Sequence, residues 1–117
     1  MVNPILNKKD ILAFNQKFDF GNFKNESSLD FALSQLKRNI AWTRKLAFLV
    51  RAILIDHVFE EGNKRTSCAV LLFYIEHEGY TIEEKKAVGI IKTILLKNII
   101  SVEKIKRMIE DAVTKKD

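Results

Sequence analysis

The chain has 117 residues, 47% of them apolar, with only four glycines and one proline and a formal net charge of +5. This length makes one domain, residues 1–117, around one modest core, and so much apolar content with so few helix breakers excludes a disordered chain and predicts an all-α globule. The lone Cys68 excludes an internal disulfide and a four-cysteine zinc site, and in its apolar run it reads as a small buried hydrophobe.

Pro4 is the only proline, so nothing interrupts a helix after it. Asp10 is placed to cap a short first helix with Ile11, Leu12 and Phe14 as its apolar face. Alternating aromatics then surround a Gly-Asn pair in Phe18-Asp19-Phe20-Gly21-Asn22-Phe23-Lys24, which predicts a small hairpin or extended flap. Ser27 and Asp30 have the spacing of a capping box and open a helix with Leu29, Ala32, Leu33 and Leu36 on one face. A long helix is expected over residues 41–57, apolar on most sides and therefore central. Glu60, Glu61 and Gly62 break it, and helix resumes at Lys64 or Arg65 and runs to Gly79, a suitable C-cap. Two more helices are expected over residues 82–96 and 102–113, the last capped by Ser101, followed by a fraying tail at residues 115–117.

No run of about 18 apolar residues offers a membrane span, and the first residues lack a signal-peptide core, so a cytoplasmic protein without membrane attachment is expected. The positive charge suits an anion or an acidic partner. The lysines are spread along the chain rather than gathered in one stripe, which argues against nucleic acid as the direct substrate.

The only polar break in the most apolar part of the chain is the loop at residues 59–63. Gly62 lets its backbone take unusual dihedrals and approach a ligand. The turn leads into a helix N-terminus, where open N–H groups and the helix dipole favour an anion. Asn63, Lys64 and Arg65 add donors and positive charge at the same end, so a polyphosphate is the natural occupant. A carboxylate beside phosphates repels them unless a divalent cation intervenes, so Glu61 reads as a Mg²⁺ ligand and Glu60 as a solvated neighbour. Histidine is the side chain suited to proton transfer near neutral pH, so His57 can accept a proton from a hydroxyl. Phe59 reads as a structural anchor inserted into the core.

The run His57-Val58-Phe59-Glu60-Glu61-Gly62-Asn63-Lys64-Arg65-Thr66 resembles the signature of the Fic/Doc family, whose pattern is HPFxxGNGRxxR. Its lysine after the asparagine is similar to the [GA]NKRT tail of the Doc, or death-on-curing, branch. Flanking segments extend the resemblance to about residues 18–113, through Ser28-Leu29-Asp30-Phe31-Ala32-Leu33 and Leu71-Leu72-Phe73-Tyr74-Ile75-Glu76-His77-Glu78-Gly79-Tyr80. It implies a Fic/Doc-like helical bundle, with two central helices flanking the motif loop and a small flap hairpin. It also implies a toxin-like enzyme using ATP and Mg²⁺: His57 as catalytic base, Gly62, Asn63, Lys64 and Arg65 on the nucleotide phosphates, and Glu61 on the metal.

Val58 stands where the family has proline, and Cys68 where the longer pattern has a second arginine. The missing arginine and the presence of Lys64 favour the Doc-type reaction, in which the nucleotide is reversed and the γ-phosphate passes to a Ser or Thr hydroxyl of a protein. By family analogy a translation elongation factor is the first target to try. The alternative in the same site is AMP transfer by a Fic-type adenylyltransferase. An alternative of another class is a basic helical binding module without catalysis. Family members hold the target segment as an added strand beside the flap, here Phe20 to Lys24. The inhibitory pattern [ST]xxxE[GN] is missing from this sequence, which implies a separate antitoxin as partner.

Overall fold

Apolar periodicity resolves into six helices among residues 4–117, the part of the chain that the computed structural model describes. They are α1 (Lys8–Gln16), α2 (Glu26–Gln35), α3 (Trp42–Leu54), α4 (Asn63–His77), α5 (Glu84–Lys97) and α6 (Val102–Ala112). The molecule is mostly helical, as expected. Its one small sheet joins β1 (Tyr80–Thr81) to β2 (Thr114–Lys115) in antiparallel register, Tyr80 opposite Lys115.

The starts of α1 and α2 differ from the sequence reading because an asparagine acceptor lies upstream of each expected cap. Helix α1 is capped by Asn7, whose side chain accepts from the Asp10 N–H at 2.9 Å while the Asp10 carboxylate accepts from the Asn7 N–H at 2.9 Å. Asp10 is thus the third helical residue of a reciprocal capping box, not the cap. Helix α2 is capped by Asn25, which leaves Ser27 and Ser28 in its first turn and frees Asp30 to pair with Lys8 at 2.6 Å. Ser101 caps α6 as expected, accepting from the Lys104 N–H at 3.2 Å.

Helix α3 is the axis of the fold. Leu46, Leu49, Val50 and Ile53 are fully buried, and α2, α4, α5 and α6 pack around it. Each such side chain contributes about 1.5–3 kcal/mol by leaving water, so this helix anchors the core. Helix α4 buries one face, through Val70, Leu71, Tyr74 and Ile75, and leaves Phe73 exposed. Cys68 on α4 is half-buried and packs at the edge of the core. Trp42, at the start of α3, stacks on Tyr74 and leans on Tyr80 with ring centroids 5.1 Å apart. The tail does not fray as expected: it forms β2, and the Lys116 N–H donates to the Gly79 carbonyl at 2.9 Å. Among the described residues no helix is long and apolar enough to cross a membrane.

Candidate functional site

The expected helix over residues 41–57 stops at Leu54, and the difference shapes the site. The N–H groups of Ile55 and Asp56 both turn back to the Arg51 carbonyl, at 2.8 and 3.4 Å. The Asp56 carboxylate is then caught by the Ser28 hydroxyl, which donates to it, and by Arg51 at 3.6 Å. His57 therefore leaves the helix and adopts a left-handed backbone, with φ of 53°. A non-glycine residue holds that conformation only where its surroundings over-determine it. The carbonyls of both residues that flank His57 are held by Lys24 and Asn25. The Asn25 side chain donates to the Asp56 carbonyl at 3.1 Å, and the N–H groups of Lys24 and Asn25 donate to the Val58 carbonyl at 2.8 and 3.1 Å.

The flap is not a hairpin. Its partner is the loop itself: Phe23 bridges Phe59 in antiparallel fashion, and the Glu60 N–H donates to the Asn22 carbonyl at 2.9 Å. The two phenyl rings stack at 5.2 Å, and Phe59 is fully buried, as its anchoring role requires. Of the other flap residues, Phe20 is exposed at the rim beside Glu60 and Glu61. Gly21 carries a φ of 75°, and a Cβ there would stand 2.8 Å from side-chain atoms of Leu12 and Gln16.

A residue that the sequence reading passed over joins these parts. Asn15 is completely buried near the end of α1. Its amide donates to the Glu61 carbonyl at 2.9 Å and to the Thr66 hydroxyl at 3.1 Å, and its side-chain oxygen accepts from the Gly21 N–H at 2.9 Å. One side chain thus pins the flap, the loop and the first turn of α4. The signal was available: Asn15 lies four residues after Ile11 and so falls on the buried stripe of α1.

Gly62 precedes α4 with φ of 78°, and a Cβ on it would lie 3.0 Å from the Asn15 amide nitrogen. Both the dihedral and the close approach demand glycine. No side chain caps α4, so the N–H groups of its first turn have no acceptor among the described residues. Asn63 finds a different partner from the expected phosphate. Its side chain accepts from the Phe59 N–H at 3.0 Å and donates to the Phe59 carbonyl at 2.8 Å, closing the loop upon itself. Its backbone N–H, and one N–H of the side chain, remain without a partner among the described residues.

A cavity of about 440 Å³ opens at this helix end. The loop and α4 line it with His57, Glu61, Gly62, Asn63, Lys64 and Arg65, so the sequence-predicted polar residues do converge. The rest of the wall comes from Phe18 and Asp19 in the turn after α1, Leu54 of α3 and Leu95 of α5. Asp19 is a second carboxylate that the sequence reading missed; its Cβ lies 3.3 Å from where a Cβ on Gly62 would stand. The chemistry available is an anion site of open amides and two cations, bordered by an imidazole and two carboxylates.

In class terms, the fold and cavity define a small α-helical domain with a cationic helix-end pocket beside a histidine. No protein-family model, no curated protein and no solved structure matches this chain.

Proposed function

We propose that this chain is a Fic/Doc-type enzyme of the Doc branch, which transfers the γ-phosphate of ATP to a Ser or Thr hydroxyl on a protein. The observation that carries the reading is that His57 lines the same cavity as the uncapped N-terminus of α4. The open amides of Gly62–Arg65, with the Lys64 and Arg65 side chains, bind the polyphosphate. The incoming hydroxyl oxygen bonds to the γ-phosphorus as the bond to the β–γ bridging oxygen breaks. ADP leaves, and the hydroxyl proton passes to the imidazole of His57. Positioning and charge neutralisation supply most of the rate, as in other phosphoryl transfers.

Magnesium fits the donor set. Glu61 lines the cavity, and a magnesium ion takes one or two carboxylates with phosphate oxygens and water. Among the described residues no group of three or more His, Cys, Asp or Glu stands ready to hold a metal without such help. Glu61 would hold the ion, whose contribution is to neutralise phosphate charge.

The flap supports a protein substrate. The bridge to the loop is made by Asn22 and Lys24, so the N–H and C=O of Phe23 face the other way, and neither has a backbone partner among the described residues. A target segment adds there as a strand, through backbone bonds that demand little of its sequence. A translation elongation factor is the first target to try, and a separate antitoxin is the regulator.

Incubation of the chain and its His57→Ala variant in a cell extract, with ATP labelled at either the α- or the γ-phosphate, tests this reading. Protein labelling from the γ position alone is expected, reduced at least about 100-fold by His57→Ala. Label from the α position alone replaces phosphate transfer by AMP transfer. No label from either position sinks the enzymatic reading.

A further inference from the structure

Base recognition has its own physical requirement: donors and acceptors matched to one edge pattern, held in a dry site. Resting on the nucleotide reading of this cavity, we infer that the site selects no particular nucleobase, and that ATP, GTP, CTP and UTP are bound nearly alike.

The apolar part of the wall is Phe18, Leu54 and Leu95, which offers area and a ring face but no side-chain hydrogen bond. Phe18 is 40% exposed, so its ring is open to a flat partner. Every base has a π-face, so stacking carries no sequence code.

Apart from the imidazole of His57, which the proposed reaction uses at the γ-phosphate, the neutral polar groups near that wall are engaged elsewhere. In the turn that carries Phe18, the backbone donors from Phe18 to Gly21 are all engaged. The N–H groups of Phe18 and Asp19 go to the Asn15 carbonyl at 2.9 and 2.8 Å. That of Phe20 goes to the Asp19 carboxylate, and that of Gly21 to the Asn15 side chain. The Asn63 amide, the one neutral amide side chain in the wall among the described residues, is held at both ends by Phe59, which fixes its orientation toward the loop. The Leu95 carbonyl accepts from the Asn98 N–H at 3.3 Å. Asp19 stands against Gly62, at the phosphate end, with one oxygen already taken. A carbonyl at the end of α3 could accept a proton from a base, but all four bases carry an N–H donor, so it does not tell them apart. Lys64 and Arg65 leave the polyphosphate, common to all four nucleotides, as the recognised part.

Calorimetric titration of the chain with the magnesium complexes of the four nucleoside triphosphates, and with inorganic tripolyphosphate, tests the inference. The four nucleotides are expected to bind within about tenfold of one another, whereas a site reading base edges separates them by about 10⁴. All four are expected to bind more tightly than tripolyphosphate. Phe18→Ala weakens all four nucleotides together by about tenfold, leaves tripolyphosphate unchanged, and is rescued by Phe18→Tyr. Preference for one nucleotide beyond about a hundredfold overturns the inference while leaving the nucleotide site standing. Nucleotides that bind no more tightly than tripolyphosphate also overturn it. If neither the nucleotides nor tripolyphosphate bind, the nucleotide reading itself falls.

Discussion

Asn15 shows how much a single buried amide can decide. It is wholly enclosed, and all its side-chain bonds go to different parts of the site: Glu61, Thr66 and Gly21. Truncation takes the partner from three polar groups, one buried and two part-buried, so Asn15→Ala is expected to destabilise the fold by about 2–4 kcal/mol. Chemical denaturation measures this, and a loss under 1 kcal/mol would show that the pin is dispensable. Ser67 is the opposite case. Its hydroxyl is buried in α4 and has no hydrogen-bond partner among the described residues. Ser67→Ala removes an unmet donor, and a gain of about 0.5–1 kcal/mol in the same assay is expected. Cys68 behaves as a structural thiol: burial pushes its pKa up, with the nearby Glu84 carboxylate adding to the effect, so less thiolate is present at neutral pH than for a free cysteine.

At the scale of elements, the ends of the helices carry more of the site than their middles do. Helix α3 stops three residues early, and α4 starts without a side-chain cap, so a histidine and an open helix end share one cavity. The spacing of Leu46, Leu49, Val50 and Ile53 made α3 legible as a central helix, because burial of an apolar stripe is a local pattern. Its end was not legible, because it depends on Ser28 and Asn25, which are distant in sequence and reach Asp56 only after α2 has packed. The tail is a similar case. Thr114 and Lys115 are exposed and polar, yet pair with Thr81 and Tyr80, and Lys116 adds an ion pair to Glu76 at 3.3 Å. Removing residues 114–117 is expected to lower stability by about 1 kcal/mol, or about 5 °C in Tm. Trp42, the only tryptophan, leans on Tyr80, so its fluorescence reports the same loss. An unchanged Tm and an unchanged emission would show that β2 contributes nothing.

Across the whole molecule, α6 is tied to α3 by polar contacts as well as by Ile105 and Ile109, and those contacts make stability depend on acidity. The Glu110 carboxyl lies below the usual carboxylate range, first because the Thr43 hydroxyl donates to it at 2.7 Å, and further because Lys106 and Arg107 stand near. A carboxyl whose folded pKa is lowered stabilises the fold above its unfolded pKa, and that contribution disappears as pH falls through the folded value. Stability is therefore expected to drop below about pH 4, and Thr43→Val, which removes the donor, flattens part of the drop. Urea unfolding at pH 6 and pH 3 measures it; identical slopes in the two proteins would remove Glu110 from the account. The effect is modest, because the Glu110 side chain is 40% exposed and solvent screens it.

By itself the sequence determined the helical class, the central helix, the α6 cap and the run of residues from His57 to Arg65, because each is written in local spacing and residue type. Tertiary structure alone decided that His57 sits off the helix with a left-handed backbone, that the Asn63 side chain closes the loop instead of facing the cavity, and that the flap pairs with the loop rather than with itself. It also brought in Asn15, Asp19, Phe18, Leu54 and Leu95, which no motif marks. The physical reason is that hydrogen bonds such as that from Asn15 to Glu61, 46 residues apart, exist only once packing has closed the long loops between them, and short-range patterns carry no trace of that closure.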